Sequence, residues 1–84
     1  MELQLENRKI SQMSRVQYST QRVIEILNMN CFNDIKRSGY IYYCNRLGAK
    51  EIMFRELFGG NHVFYVNKEH CHDVYKAIEW AVAK

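Results

Sequence analysis

Proline is absent from the 84 residues. No position is therefore forced out of a helix or strand by a locked φ or a missing amide donor. Glycine occurs four times, at Gly39, Gly48, Gly59 and Gly60, and each falls within a turn signal: Ser38-Gly39, Leu47-Gly48 and Phe58-Gly59-Gly60-Asn61. The three cysteines, Cys31, Cys44 and Cys71, are an odd number without CxxC spacing. That excludes the usual secreted disulfide framework and points to reduced thiols, at least two packed as small apolar residues; one disulfide with a free third thiol is the alternative. No segment approaches the roughly 20 consecutive apolar residues of a membrane span. Glu2 and Glu6 stand where a signal peptide would carry positive charge. The expectation is a cytoplasmic, intracellular protein without a membrane partner.

Charge of one sign is also scarce. The net charge is +3, compatible with an anionic partner without demanding one. What the chain does have is apolar residues at 48% and aromatics at 13%, six of them tyrosines. That content excludes general disorder. The length allows one core, so residues 11–84 read as a single α+β domain and residues 1–10 as a flexible tail or edge strand. In that first stretch Met1, Leu3 and Leu5 alternate with Glu2, Gln4 and Glu6, a strand pattern too short to stand alone.

Met13, Val16, Thr20, Val23 and Leu27 then recur at helical spacing, with Ile24 widening the stripe. Ser14 and Gln17 fit a capping box. The pattern predicts a helix over 14–29, with Asn28 and Asn30 suited to its end. Three aromatic or β-branched runs follow, over 40–44, 51–57 and 62–67, separated by the glycine turns. Residues 31–36 read either as a fourth strand or as the loop leaving the helix. A closing helix is predicted from Asn67 or Lys68, with Cys71, Val74, Ile78, Ala81 and Val82 on its apolar face and an Asp73–Lys76 pair on the other. The expected architecture is two-layer α-β-β-β-α: an antiparallel meander of three or four strands with both helices on one face.

His70-Cys71-His72 is the one triplet built from ligand and nucleophile residue types. On a helix, successive side chains are about 100° apart, so the three spread over about 200° and cannot grip one ion. Extended, His70 and His72 would share a face and chelate. With the segment read as helix, no metal and no cofactor is expected. Cys71 as a nucleophile is disfavoured by its place on the apolar stripe and by Glu69 and Asp73 nearby. No nucleophile, base and orienting group stand out together, so an enzyme is not expected. "FGGN" and "RLGAK" lack the lysine and helix of a phosphate loop and read as turns.

Two binding functions remain. The first is a non-enzymatic interaction protein, a regulator or inhibitor, that holds a protein partner or a second copy of itself. Its anchors would come from Tyr40, Tyr42, Tyr43, Phe54, Phe64 and Tyr65, because aromatics dominate interface energies. The alternative is a nucleic-acid module using Arg15, Arg22, Lys36, Arg37, Arg46, Lys50, Arg55 and Lys68 on phosphates, with tyrosines stacking on bases. Lys36-Arg37 and Arg46/Lys50 would form one basic rim if the register allows. The order helix, three strands, helix is a topology shared with double-stranded RNA-binding domains. The mixed charge of Lys68, Glu69 and Asp73 departs from the basic helix start expected there. The mild net charge favours the protein partner.

Overall fold

The computed structural model describes residues 17–83; the expected N-terminal tail or edge strand, the Ser14 cap, Met13, Val16 and Arg15 lie outside them. Helix α1 spans Thr20–Met29. Its N-cap is Ser19, which is extended (φ −68°, ψ 159°) and whose hydroxyl accepts from the Arg22 amide. An N-cap must leave helical geometry. The helix expected over 14–29 is therefore not continuous, since residues 17–19 are not helical. Val23, Ile26 and Leu27 are its buried residues.

The chain leaves α1 through Cys31 in the left-handed region (φ 72°). The Cys31 amide donates to Asn28 O and the Phe32 amide to Leu27 O, the paired bonds of a Schellman end. The reversal drives Phe32 into the core, where it is fully buried.

Five strands follow: β1 (Asp34–Ser38), β2 (Ile41–Asn45), β3 (Ile52–Glu56), β4 (His62–Val66) and β5 (Glu69–Cys71). They form one antiparallel meander in chain order. Among the described residues the sheet thus has five strands where three or four are expected. The first addition, β1, confirms the fourth-strand option for the segment after α1. The second, β5, replaces the start of the closing helix. Asn67 turns the chain at positive φ (57°), and the two-residue loop sets Val66 opposite Glu69. Asparagine tolerates that conformation better than most residues.

Helix α2 is therefore shorter than expected, Val74–Val82, capped by the Asp73 carboxylate on the Tyr75 amide at 3.1 Å. Asp73 serves the helix end instead of pairing with Lys76, whose ammonium lies 6.0 Å from the centre of the Trp80 ring.

Side-chain parity gives the sheet two distinct faces. Tyr42, Cys44, Ile52, Phe54, Phe64 and Val66 face the helices and form the core with Val23, Ile26, Leu27, Phe32, Val74, Ala77, Ile78 and Ala81. Both helices therefore cover one face, as expected. Tyr42 stacks on Phe54 at 4.5 Å, and Phe54 leans on Phe64 at 5.4 Å. Among the described residues no helix is long and apolar enough to cross a membrane.

Candidate functional site

The second face of the sheet is set by register. Lys36 pairs with Tyr43, Tyr43 with Met53, Met53 with Tyr65 and Tyr65 with His70. These five side chains form one row across all five strands. Ser38, Ile41, Arg55 and Val63 form the next row. The face thus gathers Ile41, Tyr43, Met53, Val63 and Tyr65 around Arg55 on the central strand, with Lys36 on β1 and His70 on β5 at its two edges. Val63 is buried but lies outside the core cluster; Ile41, Tyr43, Met53 and Tyr65 are half-buried. No helix of the described residues packs on this face.

Register also sorts the expected aromatic anchors. Tyr43 and Tyr65 lie on the open face. Tyr40 is 71% exposed at the β1–β2 turn. Tyr42, Phe54 and Phe64 are buried under the helices and leave the pool, because alternation sends them to the core face. Phe58, absent from that pool, is 98% exposed beside Gly59 and Gly60. Its place in a glycine turn was the available signal.

The basic residues do not form one rim. Successive turns of a meander lie at opposite ends of the sheet. Arg37 sits opposite Tyr42, four positions before Arg46, roughly 13 Å along the strand. Arg46 donates to Asn30 O at 3.3 Å and Lys50 to Ala83 O at 3.0 Å. Both cations thus close helix C-termini, where the carbonyls and the dipole attract them. Arg22 is paired with Glu25 and Lys36 with Asp34. Arg37 donates to Gly39 O and lies over the Tyr42 ring. Lys68 is exposed in the β4–β5 turn, and Arg55 is exposed on the open face.

A polar constellation that sequence reasoning missed lies at the other end of β4. Thr20 Oγ1 is hydrogen-bonded to Glu56 Oε2 and lies 3.0 Å from His62 Nε2. Thr20 opens α1, Glu56 ends β3 and His62 begins β4, so no local spacing joins them. The hydroxyl has one proton to give. Thr20 gives it to the Glu56 carboxylate, and the imidazole tautomer sets the direction of the bond to His62. The arrangement ties α1 to the sheet.

His62 is buried at 5% exposure. Burial lowers its pKa below the ordinary value of 6.5, against smaller upward pulls from Glu56 and the Gly60 backbone. A lowered folded pKa means that the unfolded chain takes up this proton first on acidification. The stability His62 contributes is therefore complete above the unfolded value and is lost as pH falls below about 6.5 toward the folded one. The urea midpoint should drop between about pH 7.5 and 5.5, and His62→Gln should flatten that slope. An unchanged slope in His62→Gln would assign the pH dependence elsewhere.

All three cysteines are free thiols: Cys31 exposed, Cys44 buried and Cys71 intermediate. Cys71 lies on β5 opposite Phe64, so it packs toward the core as a strand residue, not on a helix stripe. Burial, with the Glu51 charge, pushes the Cys44 thiol up to about 12. Burial also raises Cys71, whose Sγ donates to Asp73 O. A thiol reagent should modify Cys31 first and Cys44 only on unfolding, because the thiolate is the reactive form. Mass spectrometry of the partly labelled chain reads the order; early labelling of Cys44 would contradict its burial.

Among the described residues no group of three or more His, Cys, Asp or Glu side chains is placed to hold a metal ion. Comparison with protein-family models, with curated proteins and with solved structures finds no match for the chain.

Proposed function

We propose that the protein is a non-enzymatic interaction module that docks a protein partner on the open face of its sheet. The observation that carries this is the placement of Ile41, Tyr43, Met53, Val63 and Tyr65 together, on the face the helices leave uncovered. An apolar patch with a charged edge is the usual anatomy of a docking surface. Tyr43 and Tyr65 are the anchors: large rings give contact area at low entropy cost, and their hydroxyls retain a polar contact. Arg55, set between Ile41 and Val63, and Lys36 at the β1 edge favour a partner with acidic groups, over a second copy carrying the same cations.

The experiment is affinity capture from the native cell with the wild-type chain and with a Tyr43→Ala/Tyr65→Ala variant, alongside light scattering of the purified chain. One partner held by the wild type and lost by the variant, with a monomeric purified chain, supports the reading. A partner held equally by both chains rejects the open face.

A second reading has one observation in its favour. Tyr43 and Tyr65 lie two strands apart, on either side of Met53, on the same face as Lys36 and Arg55, and base stacking on accessible rings beside cations is how sheet surfaces hold single-stranded nucleic acid. Against it, Arg46 and Lys50 are engaged on helix ends. Binding of a labelled single-stranded oligonucleotide that weakens steeply with salt supports this second reading. No binding at low salt removes it.

A further inference from the structure

We propose that His70 and His72 form a two-imidazole chelate for a borderline first-row divalent ion of the zinc class, at the β5 edge of the sheet. A helix would splay these side chains apart, but the segment is not one. Glu69–Cys71 is a strand and α2 begins only at Val74. His70 is on β5 and His72 in the bend that follows it. The fold brings their rings together, with centroids 6.4 Å apart, edge to face at 86°.

A metal–nitrogen bond of about 2.0–2.1 Å puts two imidazole centroids roughly 5 Å apart around a tetrahedral ion, so closure needs the rings to approach by about 1 Å and to rotate until each aims a nitrogen at the ion. Both side chains are exposed and free to make it. Tyr65 lies against His70 at 6.0 Å and braces that ring from the neighbouring strand. β5 is the last strand of the sheet, so the site opens to solvent and water completes the coordination.

The intervening cysteine does not join in. Cys71 points to the opposite face, across from Phe64, and its thiol is engaged with Asp73 O. His62, the remaining histidine, is buried and held by Thr20. Two neutral imidazoles without a carboxylate select zinc, nickel or copper over magnesium or calcium, which require oxygen ligands.

The test is zinc titration of the untagged full chain, followed by calorimetry and by the histidine ring NMR signals. The His70 and His72 signals should move together and saturate, while His62 stays in place and magnesium moves none of them. His70→Ala and His72→Ala are surface changes that leave the core intact. Each should weaken zinc binding by more than the roughly tenfold that loss of even an outer-shell group costs. Cys31→Ser, which removes the exposed thiol, should bind as the wild type does. Wild-type affinity in either histidine variant, or loss of binding in Cys31→Ser, overturns the site.

Discussion

Phe54→Ala should unfold a large part of the protein under conditions where the wild type is folded. Phe54 is fully buried on the central strand β3. It stacks on Tyr42, leans on Phe64 and meets the edge of His62. Removing such a ring from a packed core costs about 3–5 kcal/mol, as lost transfer energy plus a cavity its neighbours only partly fill. Small domains are stable by about 5–15 kcal/mol in all, toward the lower end for short chains. With a urea dependence of about 1–3 kcal/mol per molar, the midpoint should fall by at least about 1 M. Phe58→Ala is the matched control: the same substitution at a side chain 98% exposed should change stability by no more than about 0.5 kcal/mol. Circular dichroism in urea measures both. Equal midpoints for Phe54→Ala and Phe58→Ala would mean that the helices do not cover this sheet face.

Tyr43→Ala/Tyr65→Ala should keep the fold and lose the partner. Both rings are half-buried on the face opposite the core. Their truncation opens no core cavity, and the far-ultraviolet dichroism should be unchanged. Anchor residues at an interface typically contribute at least about 2 kcal/mol each, so each single variant should weaken binding by about thirtyfold. The double variant should fall below detection in a capture experiment. Because the residues flank Met53 in one row, their effects should be non-additive. The tip residues Phe58 and Tyr40 provide the contrast, since both are exposed at turns at one end of the sheet. Loss of the partner in Phe58→Ala but not in the double variant would move the docking surface to that end.

Much of the secondary structure was legible because its signals are local. The glycine turns at Gly39, Gly48 and Gly59-Gly60 all adopt positive φ, and they separate β1–β4 where the sequence pattern puts the breaks. Helix α1 was overextended because the stripe through Met13, Val16 and Thr20 continues across Ser19, while the Ser19 hydroxyl stops the helix by taking the Arg22 amide. The sequence pattern of β5 reads as helix because Cys71 and Val74 have helical spacing. Cys71 instead reaches the core from a strand, opposite Phe64, and the two geometries leave the same apolar mark. Asn67-Lys68 between β-branched and polar residues was the overlooked hairpin signal.

The amino-acid sequence by itself determined the turns, the alternation within each strand and the amphipathic helices, because each depends on backbone preference and side-chain period over a few residues. It paired Tyr43 with Ile41 and set both against Tyr42 without saying which set faced water. Only the tertiary structure decided that. Packing of α1 and α2 on one face buries Tyr42, Phe54 and Phe64 and leaves Tyr43 and Tyr65 outside. The pairing of β4 with β5 takes His70 out of the helix and leaves its ring beside that of His72 in the following bend. The Thr20–Glu56–His62 contact likewise exists only once α1 is laid on the sheet. Those outcomes depend on contacts between residues far apart in the chain, which no local period encodes.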